Sequence, residues 1–91
     1  MDLFLIEDSQ PKPSKVSSLT YIGKFDEKEF QLLQEHSIIE KRFDYYKDLR
    51  LTQQQVRGIY YRLCELRMAF EFENLIKLAV EKQLGILGYA D

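Results

Sequence analysis

The chain has 91 residues, 45% of them apolar and 31% charged, with a net charge of −2. This is the composition of one small globular domain, not of a disordered or fibrous chain, and the slightly acidic total argues against general nucleic-acid binding. The single cysteine, Cys64, excludes an intrachain disulfide and a cysteine-based metal site, which fits a reducing compartment.

The chain opens with MDLFLIED, an acid followed by only four consecutive apolar residues. It lacks the basic start and longer apolar run of a signal peptide, and no later run approaches a membrane span. The expected setting is therefore cytoplasmic, with no membrane contact. Residues 7–18, EDSQPKPSKVSS, form the Pro/Ser-rich stretch; Pro11 and Pro13 disfavour helix and keep the residues before them extended. Residues 1–24 read as an N-terminal extended arm, in which LFLI (3–6) and LTYI (19–22) can pair as a minor hairpin supported by helices.

Residues 25–91 read as a helical domain within the same single domain. In FDEKEF, Asp26 and Glu29 stand at capping-box spacing, with Phe25 and Phe30 placed for a hydrophobic staple, so a helix is expected over 27–36. Over 38–48, Ile38, Ile39, Arg42, Phe43, Tyr46 and Leu49 fall within an arc of roughly 140° at helical spacing. With Ser37 and Glu40 as a weaker capping box, this predicts a second helix with Glu40, Lys41, Asp44, Lys47 and Asp48 on its outer face. Thr52 and Gln55 form another capping box, stapled by Leu51 and Val56, and each such cap is worth ~1 kcal/mol.

From 53 to 84 there is no proline and one glycine, Gly58. One helix of that length would run ~48 Å, against a radius of gyration of ~12 Å for a globule of this size. The apolar phase also shifts, so helices over 53–67 and 70–84 are expected, broken or bent near 68–71. Gly85 and Ile86 are the expected αL closure of the last helix, and the tail GILGYAD folds back. The predicted fold class is thus all-α, a small bundle of four short helices with an extended arm. A continuous 53–84 helix would instead present two faces to different partners and favour self-assembly, for instance as a homodimer.

No P-loop, GxGxxG, HExxH, GxSxG or EF-hand pattern occurs, and one His36 and one Cys64 supply few catalytic arrangements, so no enzyme, metal or cofactor is expected. Cys64 reads as a small buried hydrophobe. Glu40, Asp44 and Asp48 form a carboxylate row able in principle to hold a hard cation, but interleaved lysines make a solvated face the simpler reading. Charge is uneven. Residues 1–40 carry four Lys and eight acids, for −4; residues 41–67 carry seven Lys/Arg and three acids, for +4; residues 68–91 carry two Lys and four acids, for −2.

The basic centre is rich in tyrosine, and Tyr and Arg are the residue types that dominate protein recognition. Arg42, Tyr45, Tyr46, Arg50, Arg57 and Tyr61 are the expected partner-binding residues of a non-enzymatic protein-binding module of inhibitor, immunity, antitoxin or adaptor type. A nucleic-acid-associated protein using 41–67 is the alternative, although Arg57, Arg62 and Arg67 do not share one helical stripe. Arg42 and Arg67 fall within apolar arcs and must snorkel, pair or line a docking surface.

Overall fold

The stretch LFLI, which has apolar residues at every position, can bury both faces only as a central strand. In the computed structural model, which describes residues 1–67 and 70–90, it does so as β1 (Asp2–Ile6). Leu3 and Leu5 point into the main core, while Phe4 and Ile6 are buried on the opposite face. The other strands are β2 (Thr20–Lys24), β3 (Leu49–Leu51) and β4 (Gly85–Tyr89). They form one antiparallel sheet in the order β2-β1-β4-β3. Opposed residues share a face: Leu5, Ile86 and Leu51 are in register on the core side, and Phe4, Leu87 and Arg50 on the other.

The described helices are α1 (Glu27–Glu35), α2 (Gln53–Glu65) and α3 (Glu71–Lys82). Each buries a stripe at three- and four-residue spacing: Phe30 and Leu33; Val56, Ile59 and Leu63; Phe72, Ile76 and Ala79. These join Leu3, Leu5, Leu49, Leu51 and Ile86 in one core, within a radius of gyration of 12.2 Å. The second face of the sheet is crossed by the Pro/Ser-rich segment 7–19. Arg50 on β3 donates to the Glu7, Asp8 and Gln10 carbonyls, and the Tyr89 hydroxyl lies 3.5 Å from the Pro13 carbonyl.

The all-α prediction is therefore overturned: the chain is an α+β domain with a four-stranded antiparallel sheet. The hairpin allowed for LFLI and LTYI exists as β1–β2, but as half of the sheet and not a minor ribbon. Ile22 forms a bulge there, and with Lys24 it blunts the β2 edge against pairing with another chain.

The predicted helix 38–48 is absent. The α1 backbone closes in a Schellman motif in which Ser37 takes the left-handed conformation (φ 59°), and the Ser37 and Ile38 amides bond the Gln34 and Leu33 carbonyls. The Ser37 side chain therefore does not serve as an N-cap. Further on, the Asp44 carboxylate accepts from the Tyr46 amide at 2.9 Å, a local turn that competes with helix.

The predicted helices 53–67 and 70–84 are shorter, and a continuous 53–84 helix is excluded, because Leu66 and Phe70 are both extended. Part of the break falls on 68–69, outside the described residues. The closure of α3 also differs: Gln83, not Gly85, is the left-handed residue (φ 58°, ψ 45°), and Gly85 opens β4. Gln83 is exposed, so its left-handed backbone is the main constraint on the side chain there. Gln83→Gly is expected to raise stability by about 0.5–1 kcal/mol, read as a higher midpoint in urea denaturation.

The caps divide in the same way. Thr52 and Gln55 form the complete predicted box, each side chain bonding the other's backbone amide. Asp26 makes no side-chain cap bond, although its staple partners Phe25 and Phe30 do meet, at 5.4 Å between ring centroids. Glu29 instead reaches across to α3, where its carboxylate accepts from the Glu71 and Phe72 amides at 3.3 and 3.1 Å. A carboxylate on a helix N-terminus suits both the orphan amides and the dipole, so Glu29 joins α1 to α3.

Candidate functional site

The loop between α1 and β3 carries half of the predicted site. Ile38 and Ile39 turn inward and are buried. The Gln34 side-chain amide donates to the Glu40 and Phe43 carbonyls at 3.1 and 2.8 Å, which fixes the loop against α1. Tyr45 is half-buried: its hydroxyl donates to the Phe25 carbonyl at 2.5 Å and accepts from the Met1 ammonium at 3.0 Å, with its ring edge-on to Phe30.

Tyr46 lies outside this anchor, 69% exposed, and donates its hydroxyl to the Glu27 carboxylate. That hydrogen bond to Glu27 raises the Tyr46 hydroxyl above the ordinary tyrosine range. Arg42, expected among apolar side chains, is exposed; its Nε pairs with Glu40 at 2.5 Å, and the guanidinium lies 4.5 Å from the centre of the Phe43 ring. Arg67 is likewise exposed. Both heads reach water because the faces assumed to bury them are not helical faces at those positions.

Arg50 lies elsewhere. It is half-buried on the back of the sheet, and its three carbonyl partners make it the fastening for segment 7–19. Nearby, Lys12 pairs with Asp48 at 2.5 Å and sits over the Tyr89 ring at 4.8 Å. The hydrogen bond from Lys12 and that from the Ala90 amide hold the Asp48 carboxyl below its usual range.

The carboxylate row read on a helical face is thereby dispersed: Glu40 serves Arg42, Asp44 a turn, and Asp48 the strap. Among the described residues no three His, Cys, Asp or Glu side chains gather to hold a metal ion. None of the described helices is long and apolar enough to cross a membrane.

Arg57 and Tyr61 lie on the outer side of α2, and Tyr61 is 70% exposed. Cys64, expected to be buried, is exposed, because the buried stripe runs through Leu63 and not the residue after it. Between α2 and the loop lies a recess of about 210 Å³, walled by Ile38, Ile39, Phe43, Leu51 and Ile59 and rimmed by Glu40, Gln55, Gly58 and Arg62. Phe43 also borders a second, more open hollow of about 420 Å³ on the α1 side that includes Arg42, Tyr45 and Tyr46.

The fold thus brings Arg42, Tyr45 and Tyr46 together on the loop, places Arg57 and Tyr61 on the neighbouring helix, and sends Arg50 to the opposite face of the sheet. The recess itself is absent from the predicted site. Gly58, a glycine amid a helical pattern, was its one visible signal in the sequence.

No family model, curated protein or solved structure matches this chain.

Proposed function

We propose that the chain is a non-enzymatic protein-binding module of inhibitor, immunity, antitoxin or adaptor type, meeting its partner through the 38–46 loop and the outer side of α2. One observation carries this reading. Tyr46 and Tyr61 expose 69% and 70% of their surface on the two elements that wall an apolar recess. Tyr46 lines the hollow on the α1 side of Phe43 with Arg42, Tyr61 stands on the outer side of α2 near Arg57, and exposed tyrosine with arginine is the composition of binding hot spots. Tyr45 and Gln34 support the surface from beneath by fixing the loop backbone, so that little ordering entropy is lost on binding. Arg50 supports the scaffold and drops out of the partner surface.

The test is a pull-down by the tagged full chain from a lysate of the organism that encodes it. A protein partner is expected to be retained by the parent and depleted about tenfold or more by the Tyr46→Ala/Tyr61→Ala double variant, whose fold is checked by circular dichroism. Equal retention by the double variant, or recovery of nucleic acid alone, refutes the reading.

A further inference from the structure

We infer that the recess between α2 and the loop receives one aliphatic or phenyl side chain from a peptide segment of a partner protein, with a neighbouring carboxylate of that segment on Arg62. This rests on the protein-binding reading above and adds the chemistry of what is bound.

Size comes first. Pockets that hold a free small molecule are roughly 300–1,000 Å³ and enclose most of it. A recess of about 210 Å³, open on one side and walled by Ile38, Ile39, Phe43 and Ile59, suits a single anchoring side chain whose parent segment continues across the surface. On α2 that surface is the exposed Gly58 and Arg62 at the rim, and on the loop side it is Glu40.

Charge comes second. Of the two ionised groups at the rim, Glu40 is already closed by Arg42 at 2.5 Å. Arg62 donates one Nη1 hydrogen bond to the Ser37 carbonyl at 2.7 Å, which orients the guanidinium without neutralising it. Glu65 shares a separate hollow with Arg62 and does not line the recess, and no carboxylate lies within ion-pair distance of Arg62 among the described residues. The rim is therefore left positive, and the complementary group is a carboxylate, which a guanidinium can grip through two parallel N–H donors.

Gly58 is the third observation. A glycine in the interior of α2 weakens the helix, yet a Cβ built there meets nothing within 4 Å. Packing inside the chain does not call for it. Its place on the rim of the recess leaves an approach for a partner backbone that a side chain would obstruct.

The experiment selects short random peptides, displayed on phage, against the full chain and measures the recovered peptides by fluorescence anisotropy. Enriched sequences are expected to share a Leu, Ile or Phe with an Asp or Glu one or two positions away. Gly58→Leu, which fills the mouth from an exposed helical position, is expected to weaken them about tenfold or more, with its melting temperature held or raised. Arg62→Gln is the second variant; it removes the charge together with the guanidinium donors, and with the charge goes the salt dependence of binding.

Several results overturn the inference: no enrichment, enrichment of basic in place of acidic peptides, or equal binding to parent and both variants. So does self-association of the parent that Gly58→Leu abolishes, since the occupant is then a second copy. Peptides insensitive to Gly58→Leu and Arg62→Gln but lost on Tyr46→Ala/Tyr61→Ala refute this inference alone and leave the protein-binding reading standing.

Discussion

Gly85→Ala is expected to destabilise the domain by about 3 kcal/mol or more, at the upper end of what overpacking costs, as measured by urea denaturation. A Cβ at this position would lie 2.5 Å from the Leu51 carbonyl oxygen and 3.1 Å from Asp8 Oδ1. The first is backbone of the neighbouring strand and cannot swing aside. The second is itself in use, accepting from the Gln53 amide at 2.9 Å at the start of α2. One methyl group would therefore press on the β3–β4 pairing and on the first turn of α2 together. Gly58→Ala makes the same chemical change where nothing lies within 4 Å, and there up to about 1 kcal/mol of added stability is expected from helix propensity. The opposite signs are the diagnostic result. A Gly85→Ala midpoint close to that of the parent would mean that β4 can shift away from β3 at little cost.

That contrast also shows why the sheet was hard to read. β4 contains two glycines in five residues, GILGY, a composition that argues against a strand. Its place in the sheet comes from tertiary contacts: Gly85 lets Leu51 and Asp8 approach, and Gly88 lies against Met1 and Leu49. Neither demand is visible in a local window. β3 is only Leu49–Leu51, too short for a period of two to declare itself against the helical spacing of its neighbours. The helix starts were more legible because their signals are local. Thr52 and Gln55 cap each other as the spacing predicts. Asp26 and Glu29 mark the right place for a helix although Glu29 spends its carboxylate on α3.

The candidate site divides along the same line. Tyr61 is exposed because it lies outside the buried stripe of α2, whereas Tyr46, placed by its spacing within the apolar arc of a helix, is exposed because that segment is a loop. The role of Arg50 depends on a segment that crosses the sheet from 40 to 43 positions earlier in the chain, and the recess depends on a loop that the apolar arc 38–49 disguises as a helix. Ser37 is the reason for that disguise. A non-glycine residue in the left-handed region ends α1, so Ile38 and Ile39 enter the core as loop residues.

The other large effect is expected at Phe72, where truncation to alanine is predicted to cost about 3–5 kcal/mol. The side chain is 1% exposed, and its ring stacks on Phe25 with 3.8 Å between centroids and 4° between planes. Domains of this size are stable by only about 5–15 kcal/mol, so the variant should be marginal at ambient temperature and partly unfolded near physiological temperature. Phe72→Leu should recover about half of the loss, since leucine fills part of the volume but cannot stack.

Phe25 gives the cleaner measurement, because it links Phe72 to the rest of the molecule. Its ring meets Phe30, and its carbonyl accepts from the Tyr45 hydroxyl that anchors the loop. A double-mutant cycle with Phe25→Leu and Phe72→Leu should show a coupling of about 0.5–1.5 kcal/mol, the range for aromatic pairs beyond simple burial. A coupling near zero would mean that the rings contribute only as separate buried surfaces. The costs of Phe25→Leu and Phe72→Leu would then simply add, and the specific link between α1 and α3 beyond burial would be the Glu29 carboxylate on the first turn of α3.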